Sequence, residues 1–147
     1  MTIFSFKRMT LTAISSVIAA TAFMVAAAET SLISVEDAYN KSINGEAILI
    51  DIRTPEEWTR TGTPVSARLV TLQSDRFLST VKALQAENPD APVALICRSG
   101  GRSTRASQML EEAGIKHIYN VKEGVEGSPN GTSWLSKGLP IDRFPLE

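Results

Sequence analysis

Short unbroken apolar runs alternate along the chain with stretches whose apolar positions recur at helical spacing. Ala47-Ile48-Leu49-Ile50, ended by Asp51, and Val93-Ala94-Leu95-Ile96 are of the first kind. Runs without polar alternation predict strands covered on both faces, as in a parallel sheet. Residues 67–70 predict a weaker strand and residues 116–121 a further one. Helices are predicted between them. Ser34 with Glu36 and Asp37 forms a cap for a short helix that stops at the turn signal Asn44-Gly45. Pro55 followed by Glu56 and Glu57 fits a first helical turn, which Gly62 breaks. Over residues 74–86, Phe77, Leu78, Val81 and Leu84 share a face while Asp75, Arg76, Lys82 and Gln85 turn to water. Over residues 103–113, Ala106, Met109, Leu110 and Ala113 share a face, and Gly114 caps the helix. Gly124, Gly127, Pro129, Asn130 and Gly131 mark a long loop before a short segment around Trp134. Alternation of this kind, without internal repeats, predicts an α/β domain with a central, mostly parallel sheet, whose ligands sit beyond the C-terminal ends of the strands.

The chain has 147 residues, 43% of them apolar and 21% charged, with a net charge of −1. Those proportions belong to a single globular domain able to bury a core without metal or disulfide support. Residues 1–28 stand apart. Lys7 and Arg8 precede an uncharged stretch that closes on Ala26-Ala27-Ala28, the basic, apolar and small-residue order of a secretory signal. We read residues 1–28 as a cleaved signal peptide and residues 29–147 as the functional domain. An uncleaved membrane anchor is the alternative, since twenty or so uncharged residues can just cross a bilayer. The expected location is a bacterial periplasm, with no stable membrane insertion after cleavage. Without Lys7 and Arg8 the 15 basic side chains fall to 13 against 16 acidic ones, a net charge of −3. No basic stripe remains to neutralise phosphates, which excludes nucleic acid as an expected partner.

Cys97 is the only cysteine, so no disulfide can form within the chain. A lone thiol in an oxidising compartment calls for a chemical role. It stands directly after an apolar strand, and Arg98-Ser99-Gly100-Gly101-Arg102 joins it to a helix beginning near Ser103. This loop is built for an anion. Its glycines let backbone N–H groups turn inward, the helix start adds unpaired donors and a positive dipole end, and the arginines add charge. A thiolate is such an anion. A helix terminus contributes up to about 2 kcal/mol to a well-placed charge, and one guanidinium adds a comparable amount. Both favour ionised sulfur. Against this stands a bland alternative, Cys97 as a small core residue extending its strand. Arg102, five residues on, can fold over the loop mouth and fork onto a bound oxyanion. Arg98 is either a second anion contact or a surface ion pair, and Arg105 reads as solvated.

Cys97-Arg98-Ser99-Gly100-Gly101-Arg102-Ser103 resembles the active-site loop of the rhodanese family, specifically its small single-domain sulfurtransferases. Leu49-Ile50-Asp51-Ile52-Arg53 with Glu56, Glu57 and Trp58 is similar to the family's amino-terminal motif, whose acid and arginine support the structure. Val121, Gly124, Trp134 and Gly138-Leu139-Pro140 look like its closing pattern. Gly62-Thr63-Pro64-Val65-Ser66-Ala67 departs from the usual Gly-His-Ile-Pro-Gly-Ala, and the loop before Trp134 is longer than usual. The resemblance implies a rhodanese-like fold with helices on both sheet faces. It also implies ping-pong transfer of a sulfane sulfur from a small anion such as thiosulfate, through a Cys97 persulfide, to cyanide, a small thiol or a thiol protein. Cys97 is then catalytic, and Arg98, Ser99, Gly100, Gly101, Arg102 and Ser103 bind substrate. The implied chemistry uses no metal and no cofactor.

Two other classes compete. A cysteine phosphatase or arsenate reductase also cradles a thiolate opposite an arginine, but places it six positions after the cysteine, where this chain has Ser103. A non-catalytic binding or redox module is the second, and a redox role would need a partner thiol. His117, the only histidine, lies one helix away from Cys97 and is a poor catalytic partner. Asp51 either lines the site or bonds to backbone, and Trp58 and Trp134 read as packing residues.

Overall fold

The computed structural model describes residues 29–129 and 131–145, so the signal segment expected over residues 1–28 lies outside the described residues. In chain order the elements are β1 (Thr30–Leu32), α1 (Val35–Ile43), β2 (Ile48–Asp51), α2 (Pro55–Thr61), β3 (Thr63–Pro64), β4 (Arg68–Leu69), α3 (Phe77–Glu87), β5 (Val93–Ile96), α4 (Gly101–Glu112), β6 (Ile118–Val121) and β7 (Ile141–Asp142). Five strands form one sheet in the order β1-β6-β5-β2-β4, every pair parallel. β3 and β7 pair antiparallel in a separate two-stranded sheet.

The unbroken apolar runs are explained by burial on both faces. In β5, Val93 and Leu95 enter one core with Phe77, Val81, Ala106 and Leu110 from α3 and α4. Ala94 and Ile96 enter the other, with Val35 and Ala38 from α1 and with Trp134. Successive side chains point to opposite faces, so a strand sandwiched between helices needs apolar residues at every position. Trp134 is fully buried, packs edge-on against Tyr39 at 5.8 Å and donates its indole N–H to the Pro140 carbonyl.

The predicted helices lie where their caps put them, with three adjustments, the first being that α4 begins at Gly101 with Gly100 as its N-cap, two residues before the expected Ser103. α3 begins at Phe77 rather than at residue 74, because Ser74 and Arg76 close a turn in which Phe77 N–H reaches the Ser74 carbonyl at 2.9 Å. Met109, expected on the buried face of α4, is 41% exposed, and the face is completed instead by Ser103 and Ser107. The Ser107 hydroxyl donates to the Ser103 carbonyl at 2.9 Å, which satisfies a polar group inside the core. Among the described residues, no helix is long and apolar enough to cross a membrane.

The strand order creates the site. From β2 the chain moves outward through α2 to β4, whereas from β5 it moves the other way through α4 to β6. The connections leaving the adjacent ends of β2 and β5 therefore diverge, and a crevice opens between them. Asp51 pairs with Ile96 in register, so the residues that follow, Ile52 to Glu57 and Cys97 to Arg102, face one another across it.

Candidate active site

Cys97 follows β5 directly and belongs to the apolar core, while its sulfur meets the start of α4. The Gly100 N–H donates to Sγ at 3.1 Å and the Ser103 N–H at 3.4 Å. The Ser103 hydroxyl lies 3.6 Å from the same sulfur. In the thiol form Sγ–H donates to this hydroxyl, which in turn donates to the Gly100 carbonyl at 3.1 Å. When the sulfur is negative the hydroxyl can rotate to donate to it, which makes a third hydrogen bond. Amide donors aimed at one atom stabilise it more when it is charged.

Backbone geometry fixes this cradle. Gly100 is left-handed, with φ of 94°, and caps α4. Its carbonyl is turned away from the sulfur and accepts from the Thr104 hydroxyl at 2.8 Å and the Thr104 N–H at 3.1 Å. A side chain at Gly100 would collide with the Lys122 carbonyl. Behind the loop, Val125 N–H donates to the Cys97 carbonyl at 2.8 Å, and the N–H groups of Glu126 and Gly127 donate to the Arg98 carbonyl at 2.9 and 3.0 Å. Gly124, with φ of 74°, lets these two stretches of backbone touch, since a Cβ there would meet the Arg98 carbonyl.

Above the sulfur is an open cleft of about 290 Å³ lined by Glu57, Cys97, Arg98, Ser99, Gly101, Arg102 and Arg105. Cys97 itself is only 1% exposed and forms part of the floor. Of the site residues expected from sequence, Arg98, Ser99, Gly101 and Arg102 join Cys97 at the cleft, while Gly100 and Ser103 lie buried beneath it. Arg98 and Arg105 are both exposed on the rim. Arg105 was expected to be solvated; it is, and it also borders the cleft.

Arg102 has a partner that the sequence reading did not include. Its Nη1 and Nη2 donate to the Glu57 carboxylate at 2.7 and 2.6 Å, a bidentate pair. Glu57 is in turn set by the start of α2. Its Oε2 accepts the Thr54 N–H at 3.0 Å while its own N–H reaches the Thr54 hydroxyl, a reciprocal capping box with Pro55 next in the chain. Burial alone would raise the Glu57 pKa. The Arg102 and Thr54 hydrogen bonds and the charges of Arg102 and Arg53 overcome it and hold the carboxyl at about 2. Hydrogen bonding to Glu57 raises the Arg102 pKa against the opposing effect of burial, with further attraction from Glu57, Cys97 and Asp51.

Asp51 lies under the crevice without reaching it as a cleft residue. Arg53, fully buried, donates from Nε and Nη2 to the Asp51 carboxylate at 2.7 to 3.0 Å, from Nη1 to Thr61 at 2.7 Å and from Nη2 to the Gly62 carbonyl at 2.8 Å. This pair ties the end of β2 to the end of α2. Trp58 is buried and stacks edge-on with Phe144 at 5.4 Å, a packing role. His117 is exposed, at the foot of β6. Among the described residues no cluster of His, Cys, Asp and Glu could hold a metal ion.

The family model of the rhodanese-like domain matches residues 34–128. An uncharacterized protein of Rickettsia prowazekii is 35% identical over 114 residues, covering 70% of this chain and 89% of its own length. Among solved structures, Rv0390 from M. tuberculosis is similar with a TM-score of 0.60 at 30% identity, covering 79% of this chain and 98% of that one. The polysulfide-sulfur transferase homodimer from Wolinella succinogenes is similar with a TM-score of 0.53 at 28% identity, covering 79% and 80%. A five-stranded parallel sheet with a cysteine loop at its switch point, and a family match spanning both strands that build it, agree: the chain belongs to the rhodanese-like domain family.

Proposed function

We propose that the protein is a sulfurtransferase that carries a sulfane sulfur on Cys97. The observation that carries this reading is the sulfur itself, which receives the Gly100 and Ser103 N–H groups at the floor of an arginine-rimmed cleft. The thiolate attacks the outer sulfur of a donor such as thiosulfate. A bond forms between the two sulfurs, the donor's own S–S bond breaks, and sulfite leaves with the bonding pair. Charge is conserved, since a thiolate and a thiosulfate dianion become a persulfide anion and a sulfite dianion. The acceptor, cyanide or a thiolate, then attacks the outer persulfide sulfur and returns Cys97 to its thiolate. No proton need move in the first step. What the loop must supply is stabilisation of negative sulfur, and its inward N–H groups and helix start are the groups for that task. Arg98 and Arg105 on the rim attract the anionic donor.

The loop length favours sulfur over phosphorus. Arg102 follows Cys97 by five positions and Ser103 occupies the sixth, so the ring is too short for the phosphatase arrangement. We further propose that the protein works outside the cytosol, in a periplasm, on the strength of the basic, apolar and small-residue order of residues 1–28.

The test is to incubate the protein with thiosulfate, record its mass, and then add cyanide. Wild type gains one sulfur atom and yields thiocyanate, and Cys97→Ser does neither. A wild type that stays unmodified but hydrolyses an aryl phosphate overturns the reading in favour of phosphatase chemistry. One that does neither and only captures a partner protein overturns it in favour of a binding module.

A further inference from the structure

The cation expected to receive a substrate oxyanion is already occupied by a carboxylate of the chain itself. Both terminal nitrogens of Arg102 donate to Glu57. A planar guanidinium edge holds one bidentate oxyanion at a time, so a donor's oxygens and Glu57 compete for the same edge. Glu57 does not yield freely. Its Oε2 also accepts the Thr54 N–H, and the capping box pins it to the first turn of α2. The remaining cleft cations, Arg98 and Arg105, are exposed on the rim, whereas Cys97 lies on the floor. An anion held at the rim is therefore matched to a donor whose charge is remote from its reacting sulfur.

From this we propose that Glu57 is a specificity-determining residue, which blocks Arg102 against small tetrahedral oxyanions and tunes the cleft to persulfides and polysulfide chains. The inference rests on the sulfurtransferase reading and names its donor class. Thiosulfate carries its oxygens on the sulfur next to the scissile bond, so on approaching Cys97 those oxygens come beside the Glu57 carboxylate. A persulfide R–S–SH brings no oxygens there. The Cys97 thiolate bonds to its outer sulfur, the donor S–S bond breaks, R–S⁻ leaves with the pair, and the proton stays on the transferred sulfur until water takes it. Carboxylates elsewhere on R can reach Arg98 and Arg105.

The experiment compares wild type, Glu57→Gln and Glu57→Asp with thiosulfate and with glutathione persulfide as donors, cyanide being the acceptor. For Glu57→Gln we expect the ratio of kcat/KM for thiosulfate to kcat/KM for glutathione persulfide to rise about tenfold, mainly through a lower KM for thiosulfate. A second readout needs no sulfur transfer: the sulfate concentration that half-protects Cys97 from iodoacetamide should fall about tenfold in the same variant. Glu57→Asp keeps the acid at the capping position but shortens its reach, and it should shift both readouts the same way. It serves if Glu57→Gln does not fold. Equal changes for both donors, or unaltered sulfate protection in a folded variant, overturn the proposal. If wild type takes sulfur from neither donor, the sulfurtransferase reading fails, and the sulfate readout still decides the role of Glu57.

Discussion

Cys97 owes its environment to residues within six positions of it, and each can be tested singly. Ser103 offers both an N–H and a hydroxyl to the sulfur. Ser103→Ala keeps the amide and removes the hydroxyl, so iodoacetamide alkylation of Cys97 at neutral pH should slow by about tenfold, a hydrogen bond to a charged group being worth about 1.5 kcal/mol. An unchanged rate would remove the hydroxyl from the account. Gly100→Ala is a different kind of change, because φ of 94° and the nearby Lys122 carbonyl both resist a Cβ. Urea unfolding should show a loss of about 2 kcal/mol or more. This loop was legible in the sequence because every member that touches the sulfur is local. Glu57 was not recognised as the partner of Arg102, because the two are separated by 45 positions and only the fold brings them together. The signal that could have drawn attention to it was Thr54 followed three residues later by Glu57, a capping box that announces where that carboxylate must lie.

The two helices that flank the crevice, α2 and α4, hold these residues in register. Helix α2 is short, seven residues, and depends on its cap more than a long helix does. Thr54→Ala should cost about 1 kcal/mol in thermal or urea unfolding and should loosen Glu57 as well. The same element sets a pH dependence. Glu57 is held at about 2, below its ordinary value of 4.5, so the folded state binds its proton less readily than the unfolded chain. Its contribution to stability is complete above 4.5 and is lost as the pH falls toward 2. Screening at this partly open site limits it to on the order of 1 to 2 kcal/mol. Urea unfolding at about pH 5 and about pH 3 should show that difference between wild type and Glu57→Gln, and parallel behaviour of the two would contradict it. At this scale periodicity carried most of the information. It failed at Met109, where α4 buries small serines against the sheet, and at the start of α3, where a serine turn replaces a helical one.

Across the whole molecule, the site exists because β2 and β5 are neighbours whose connections diverge. The Asp51–Arg53 pair under the crevice has no exposed surface, and it joins the end of β2 to Thr61 and Gly62. Arg53→Ala would leave a buried carboxylate without its partner. A loss of about 3 to 5 kcal/mol is expected on unfolding. The parallel sheet and its layers were legible from the continuous apolar runs of β2 and β5. The edge strand β1 and the β3–β7 pair were not, since elements of three and two residues hold no period and exist only through their tertiary partners.

The central claim is that a sulfur atom resides on Cys97 between donor and acceptor. A single turnover with a donor radiolabelled in its outer sulfur, at protein in excess of donor, tests it most directly. The label should appear on the protein, be absent from Cys97→Ser, and pass to thiocyanate in equal amount when cyanide is added. Label that reaches thiocyanate from the Cys97→Ser variant as fast as from wild type, or that never resides on the wild-type protein, would contradict it.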